Sequence, residues 1–274
     1  MDLNTISEVT RPRTLGDLPA WRAGDAFLGG GTWLFSEPQP RLTRLIDLAA
    51  LGWPPLTVST AGLEIAATCT IAQLDALTPP AAWLAAPLIG QCCRAFLASF
   101  KVWNAATVGG NLCMALPAGP MIALTAALDG ICTIWGPDGG ERRVAVTEFV
   151  RGPQRSALRP GELLRRIELP AQALARRAAF RQISLAPLGR SAALLIGTLD
   201  RDGALTVTIT ASTPRPVKLA FATLPSPGDL HARIEGTLAP GDYYDDVHGL
   251  PAWRRAMTLH LAEQIRAELS EPAR

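Results

Sequence analysis

Residues 104–113 read Asn-Ala-Ala-Thr-Val-Gly-Gly-Asn-Leu-Cys, with two adjacent glycines directly after a β-branched pair. Glycine adopts positive φ without steric cost and, lacking a Cβ atom, lets another backbone or a ligand approach closely. A single Gly-Gly pair more often marks a tight connection than a ligand site. This stretch is therefore either an ordinary turn or a turn whose backbone binds a ligand.

A second glycine turn lies near the start of the chain, where residues 28–34 read Leu-Gly-Gly-Gly-Thr-Trp-Leu. Successive glycines let several backbone N–H groups converge on one anion, and a diphosphate fits such a cradle. Thr32, Thr107 and Asn111 can add side-chain donors. Neither turn matches the P-loop pattern or a G-x-G-x-x-G that opens a helix. Spacing alone leaves open a dinucleotide cradle or two ordinary connections.

The composition favours a cytoplasmic protein that covers part of its surface with a partner. The chain has 274 residues, a net charge of +2, 48% hydrophobic residues and a mean hydropathy of +0.18. It shows neither an apolar run long enough for a transmembrane helix nor the features of a signal peptide. Its arginine pairs are scattered, which disfavours nucleic-acid binding. The odd number of cysteines, without C-x-x-C spacing, disfavours a disulfide framework or a Cys-rich metal site.

The hydrophobic pattern predicts an α+β chain whose organisation changes near Pro170. Before that point, short strands and helices alternate. Residues 14–21 are helix-like, an apolar helical stretch interrupted at Pro87 and Gly90 is expected over 81–100, and a hairpin over residues 131–146. After it, residues 180–185, 193–199 and 205–210 predict three antiparallel strands. A helix over 255–269, with apolar residues four apart, follows near the end.

Segments spread along the chain form one colinear series: GGGTWL (29–34), LIDLAAL (45–51), GLEIAATCTIAQL (62–74), NAATVGGNLCMALPAGP (104–120), LRPGEL (158–163), IELP (167–170), DVHG (246–249) and WRR (253–255). The series resembles the FAD-binding subunit or domain of molybdenum hydroxylases, relatives of xanthine dehydrogenase and aerobic carbon monoxide dehydrogenase. The similarity extends over nearly the whole chain, and its most specific motif is TVGGN with its flanks.

The resemblance implies the fold class and the domain organisation. We expect an α+β chain with a two-subdomain FAD-binding fold of the molybdopterin dehydrogenase type over residues 1–170. Its subdomains would be about 1–55 and 56–170. A C-terminal flavoprotein domain over residues 171–274 would contain a three-stranded antiparallel sheet with helices.

The resemblance also implies the cofactor-binding residues. Both glycine loops of the family wrap the FAD diphosphate and neighbouring parts of the cofactor. The matching positions are Gly29, Gly30, Gly31, Thr32, Trp33 and Leu34 in the first loop, and Thr107, Val108, Gly109, Gly110 and Asn111 in the second. Pro120 stands at a position that contacts FAD in relatives, Leu164 at one that packs against the isoalloxazine, and Arg181 at one that is often basic and near the flavin.

The implied function is that of an oxidoreductase subunit that binds FAD and has no catalytic residue or metal of its own. In the family, a large molybdopterin-binding subunit hydroxylates the substrate, and electrons cross [2Fe–2S] clusters on a small subunit to FAD. FAD then reduces NAD⁺, a quinone or dioxygen. A heterotrimer follows from this resemblance, since the chain has no room for a molybdopterin domain and too few suitably spaced cysteines for a cluster.

Three departures from the family pattern keep other functions open. Trp33 replaces an acidic or small polar residue, Leu116 and Pro120 replace a serine and an acid, and the stretch 185–190 lacks a common acid. These changes support an alternative, a structural or assembly subunit with weakened or lost FAD binding. A stand-alone flavin oxidase is disfavoured, because no histidine that could anchor flavin covalently precedes His231.

Overall fold

The computed structural model describes residues 3–272, which form fourteen strands, nine α-helices and three 3₁₀ turns. The strands are β1 (Glu8–Thr10), β2 (Asp25–Leu28), β3 (Arg44–Asp47), β4 (Leu56–Ser59), β5 (Gly62–Ala66), β6 (Ile131–Trp135), β7 (Glu141–Ala145), β8 (Val150–Gly152), β9 (Arg155–Ser156), β10 (Leu163–Pro170), β11 (Arg177–Ile183), β12 (Ala193–Leu199), β13 (Leu205–Thr210) and β14 (Val217–Phe221). The helices are α1 (Ile71–Asp75), α2 (Pro87–Ala95), α3 (Phe100–Trp103), α4 (Val108–Met114), α5 (Pro120–Ala127), α6 (Val146–Phe149), α7 (Ala171–Leu174), α8 (Pro227–Thr237) and α9 (Pro251–Ser270).

A small parallel sheet of order β1-β3-β2 opens the chain, and the first glycine turn follows β2 directly. Leu45 and Ile46 of the central strand are buried. Asp25 and Arg44 are also buried, and they pair across β2 and β3 with Nε–Oδ1 and Nη2–Oδ2 distances of 2.9 and 2.6 Å. The sheet and this ion pair together fix the point where the glycine turn begins.

An antiparallel sheet of order β4-β5-β10-β6-β7 forms the frame of the middle segment. Helix α5 lies in the core, and all eight of its residues are buried. Residues buried on every side of a helix leave no polar face, which explains the uniformly apolar sequence Pro-Met-Ile-Ala-Leu-Thr-Ala-Ala. Its single hydroxyl, on Thr125, donates to the Met121 carbonyl at 2.7 Å, so that no polar atom of the helix side chains is left unpaired.

The C-terminal sheet lies between two hydrophobic cores. Leu194 and Ile196 of β12 point into the core that contains α5, whereas Leu195 points into a second core with Ile265 of α9. Side chains alternate across a strand, so the continuous apolar run of β12 covers both faces. A Cβ at Gly197 would lie 2.2 Å from Ile265 Cγ2, so this glycine lets α9 pack closely on the sheet.

The structure confirms the predicted α+β fold class and the C-terminal antiparallel sheet, with differences in detail. The sheet has four strands in the order β11-β12-β13-β14, one more than the three predicted. Residues 14–21, interpreted as helix-like, form only a 3₁₀ turn at Leu15–Asp17. The helical stretch expected over 81–100, with interruptions at Pro87 and Gly90, contains one helix, α2, which begins at Pro87 and continues through Gly90 to Ala95. The domain boundary near Pro170 stays a prediction.

Within residues 3–272, no helix combines the length and the apolar character that crossing a bilayer requires.

Candidate functional site

The two glycine turns line one cleft, with a volume of about 460 Å³. Of the predicted cofactor-binding residues, ten line it: Gly29, Gly30, Gly31, Thr32, Trp33, Leu34, Thr107, Gly110, Asn111 and Pro120. Their positions, about 75 residues apart in sequence, meet because β2 delivers the first turn against the segment that precedes α4. The structure thus brings together two motifs that spacing alone could not connect.

Glycine is required where the first turn touches the second. A Cβ at Gly30 would lie 1.5 Å from the Ala105 carbonyl oxygen, far inside any permitted contact. A Cβ at Gly29 would lie 3.0 Å from Thr107 Oγ1. Gly31 has a φ of +70°, in the left-handed region that favours glycine. Gly29 and Gly30 therefore allow the two segments to pack closely, and Gly31 allows the chain to turn.

The first turn also offers unused hydrogen-bond donors. Among residues 3–272, no acceptor is found for the backbone N–H groups of the consecutive residues Gly30–Leu34. The turn closes instead through its last residues, as Phe35 N–H donates to the Gly31 carbonyl at 2.8 Å and Ser36 N–H to the Trp33 carbonyl at 2.9 Å. Consecutive backbone donors that converge on a concavity form an anion-binding nest.

The second turn differs, because its donors are already satisfied. Thr107 Oγ1 caps α4 by accepting from Gly110 N–H at 3.0 Å. The N–H groups of Val108 and Gly109 donate to the carbonyls of Cys69 and Ala67, at 2.8 and 3.0 Å. These bonds attach the start of α4 to the end of β5. The second turn therefore shapes the cleft, while the first supplies its free main-chain donors.

Val108 and Gly109 lie behind the cleft, and neither lines it. Val108 is buried in the core, and a Cβ at Gly109 would lie 2.5 Å from the Ala67 Cβ. The glycine at position 109 is thus explained by packing against β5. Their predicted contact with the cofactor stays a prediction, and the structure gives each of them a structural role.

Asn111 and Pro120 join the second turn to the core helix α5. Asn111 Oδ1 accepts from Met121 N–H at 3.2 Å, in the first turn of α5. Pro120 occupies the first position of that helix, where the missing N–H of proline costs nothing. Both residues line the cleft. The wall formed by the α5 end is therefore apolar except for the Asn111 amide.

Leu164 and Arg181 do not line the cleft, and their predicted places near the flavin stay predictions. Leu164 lies on β10 opposite Ile134 and is buried in the first core. Arg181 lies on β11 and pairs with Glu268 of α9 at 2.5 Å, and its Nε donates to Gln264 Oε1 at 3.2 Å. The side chain of Arg181 is thus turned toward α9 because two polar partners hold it there.

Sequence reasoning did not assign several apolar lining residues and one charged one. The apolar ones include Phe27, Phe96, Leu97, Met114 and Leu188, and the charged one is Arg190. The stretch 185–190 had been noted only for a missing acid, and that departure was the available signal for Leu188 and Arg190. Leu97, with a φ of +44°, gave no sequence signal, because only the fold imposes this conformation.

Burial disfavours the thiolate form of the cysteines. Cys113 lines the cleft, and burial raises the pKa of its thiol to about 12. Burial likewise raises the pKa of Cys69 and Cys93 to about 12. In the part of the chain that the structure describes, no group of three His, Cys, Asp or Glu side chains is placed to hold a metal ion.

The C-terminal DVHG and WRR motifs meet around a buried arginine. Arg254 donates to the carbonyls of Gly249, Ala192 and Ala211 at 2.9, 2.7 and 2.5 Å, and it also pairs with Asp246. A buried guanidinium with this many acceptors satisfies its donors in a fixed fork geometry. The arginine thereby holds α9, β13 and the loop before β12 together beside the cleft.

The free backbone donors of the first glycine turn, in a cleft that the second turn also lines, suit a phosphate-bearing cofactor. Residues 5–172 match the family model described as the FAD binding domain in molybdopterin dehydrogenase. The chain belongs to this family, and its cofactor is accordingly FAD.

One curated relative and several solved structures are similar to the chain. It is 32% identical over 120 residues to caffeine dehydrogenase subunit beta of Pseudomonas sp. (strain CBB1), an alignment that spans 42% of this chain and 40% of that protein. The fold matches CO dehydrogenase from Oligotropha carboxidovorans with a TM-score of 0.84 and 22% identity, covering 99% of this chain and 100% of that one. Quinoline 2-oxidoreductase from Pseudomonas putida 86 gives 0.78 and 21%, covering 98% of both chains.

Proposed function

We propose that this chain is the FAD-binding electron-transfer subunit of a heteromeric molybdenum hydroxylase or dehydrogenase. The observation that carries the proposal is the run of free N–H groups over Gly30–Leu34, in a cleft of a domain whose family binds FAD. Within this proposal, residues 1–170 form the FAD-binding domain and 171–274 the C-terminal flavoprotein domain.

The first turn would hold the diphosphate of FAD. A diphosphate carries its charge on oxygens that accept hydrogen bonds from backbone N–H groups, and hydrogen bonds to charged groups contribute about 1.5–3 kcal/mol each. These donors are backbone N–H groups, so no side chain has to be ordered when the diphosphate binds. The backbone at Gly30 is already held in place by its packing against Ala105. Thr32 and Asn111 add polar side chains at the rim of the same cleft.

The remaining lining would orient the cofactor and exclude water. It is mostly apolar, and among the lining residues that the structure describes there is no carboxylate and no histidine. When bound, FAD supplies the redox chemistry, so the protein needs to provide only binding, orientation and electrostatics. The neutral thiol of Cys113 agrees with this division, since a thiol whose pKa is raised to about 12 is not a nucleophile at neutral pH.

The partners in this proposal are a large molybdopterin-binding subunit and a small [2Fe–2S] subunit, assembled in the cytoplasm as a heterotrimer. Similarity to a protein named as a dehydrogenase subunit supports a multi-subunit enzyme. Electrons would reach FAD from the clusters of the small subunit and leave to NAD⁺, a quinone or dioxygen.

The test is purification of a tagged chain from its native cell, followed by mass spectrometry and cofactor analysis. We expect two partner chains, with molybdenum, iron and FAD in the isolated complex. A chain that purifies without partners, yet oxidises an organic substrate by itself, would contradict the proposal.

The second candidate is a structural or assembly subunit that has weakened or lost FAD binding. Pro120 and Trp33 favour it, because both line the cleft with apolar groups where relatives carry polar ones. FAD content separates the two candidates. An intact complex that contains molybdenum and iron but releases no FAD on denaturation would support the second one.

A further inference from the structure

Arg190 differs from every other residue of the cleft. Among the lining residues in the described part of the chain it is the only charged one, and it also borders a small second cavity of about 40 Å³. Within residues 3–272 no carboxylate lies within 4.0 Å of its guanidinium, whereas Arg181, Arg176 and Arg254 are all ion-paired. A cation without an internal partner, at the wall of a concave site, is available to a ligand.

The backbone next to Arg190 is anchored at the base of its loop. Ala192 N–H donates to the Ile183 carbonyl at 2.9 Å, which closes the loop between β11 and β12. Arg254 donates to the Ala192 carbonyl at 2.7 Å and anchors the same end. Ser191, next to Arg190, is buried. Leu188 at the tip of the loop is 86% exposed, and Arg190, at the anchored end, is exposed as well.

We propose that Arg190 is the anion-binding cation of the cleft and contacts a negatively charged group of bound FAD. The inference rests on the proposed function. Two groups of FAD have this chemistry, the diphosphate and the isoalloxazine ring once it is reduced. A guanidinium binds phosphate through two parallel hydrogen bonds, and positive charge near the ring stabilises its reduced form.

The test compares the full-length wild type with R190Q, R190K and the control R201Q. Arg201 is an exposed arginine in the turn after β12, and Arg190 precedes that strand, so the two lie roughly 20 Å apart by strand rise. Affinities for FAD, ADP and riboflavin are measured by calorimetry, and the midpoint potential of bound FAD by spectroelectrochemistry. Thermal unfolding of the cofactor-free variants checks that each is folded.

Two results would support the proposal and identify the source of the charge. If the diphosphate is the partner, R190Q loses about tenfold in affinity for FAD and ADP, binds riboflavin unchanged, and R190K recovers most of the loss. If the reduced ring is the partner, R190Q binds oxidised FAD as the wild type does but loses about tenfold for reduced FAD. That loss corresponds to a midpoint potential about 30 mV more negative for a two-electron couple.

An R190Q variant with the affinities and the potential of R201Q would overturn this inference and leave the proposed function intact. Failure of the wild-type chain to bind FAD would overturn both.

Discussion

At the scale of single residues, Gly30 decides whether the cleft exists. Its backbone packs against the Ala105 carbonyl, and a Cβ there would lie 1.5 Å from that oxygen. Because the clash is with backbone, no rotamer change relieves it, and the two turns must move apart. We expect G30A to lower the free energy of unfolding by at least about 2 kcal/mol and to purify with less than a tenth of the wild-type FAD. Thermal unfolding and visible absorbance check both results.

The matched control is G236A, near the end of α8. A Cβ at Gly236 meets no atom within 4 Å, and alanine favours a helix more than glycine does. This variant is expected to bind FAD normally and to be as stable as the wild type or slightly more so. A G30A protein that behaves like G236A would contradict the role assigned to the close approach.

The glycines could be identified from the sequence. The sequence did not show that only the first turn has free N–H groups. Adjacent glycines after an apolar segment are visible in any sequence, and both of these turns contribute residues to the lining of the cleft. Whether an N–H group is free depends on the rest of the fold. The carbonyls that occupy Val108 and Gly109 come from Cys69 and Ala67, some 40 residues earlier. No local pattern reports that pairing.

At the scale of secondary-structure elements, the Asp25–Arg44 pair holds β2 beside β3 at the entry to the first turn. Hydrogen bonds from Arg44 lower the pKa of the Asp25 carboxyl, despite the opposing effect of burial. A lowered folded pKa means that the stabilisation is complete above the unfolded value near 3.9 and is lost as the pH falls through the folded pKa. The pair therefore contributes fully at neutral pH.

We expect D25N to lower the free energy of unfolding at pH 7 by about 3 kcal/mol, because it leaves the buried Arg44 charge with only the more distant and exposed carboxylate of Glu8, at 3.8 Å. The difference between wild type and D25N should begin to shrink below about pH 4, where the Asp25 carboxyl is protonated in the unfolded wild type while the folded one, with its lowered pKa, is still ionised. Urea unfolding at pH 7 and at pH 3.5 measures both quantities. An equal difference at the two pH values would rule out the pair as its source.

Arg254 connects the start of α9 to the loops beside the cleft. We expect R254M to lower the free energy of unfolding by about 3 kcal/mol, since it leaves several buried carbonyls without donors. The melting temperature of R254M should fall by roughly 10 °C. The melting temperature of R254K should lie between those of the wild type and R254M, because an ammonium group cannot reproduce the planar donor geometry of the guanidinium. Hydrogen exchange over residues 184–192 should become faster. A fully stable R254M would contradict this role.

The fourth strand of the C-terminal sheet shows why an element can escape a sequence reading. Residues of β14 follow Pro214 and Pro216, and prolines this close together indicate a loop. The strand forms all the same, because it is an edge strand that pairs on one side with β13. Edge strands tolerate nearby prolines, so pairing with β13 overrides the loop tendency of the local sequence.

At the scale of the whole molecule, the C-terminal sheet is shared between two cores, with α5 on one face and α9 on the other. A continuous apolar run such as that of β12 is typical of a strand buried on both faces. Which helix covers each face was not visible, because both partners are distant in sequence. An ion-pair network of Asp129 with Arg176 and Lys218, and of Arg176 with Asp200, joins the end of α5 to this sheet.

The central claim is that the first glycine turn holds FAD, and a calorimetric titration of the full-length chain with FAD tests it most directly. The account predicts saturable binding of one FAD per chain, with ADP competing for the same site because the free N–H groups of Gly30–Leu34 bind the diphosphate. Absence of FAD binding by a folded chain, or FAD binding that ADP does not displace, would contradict it.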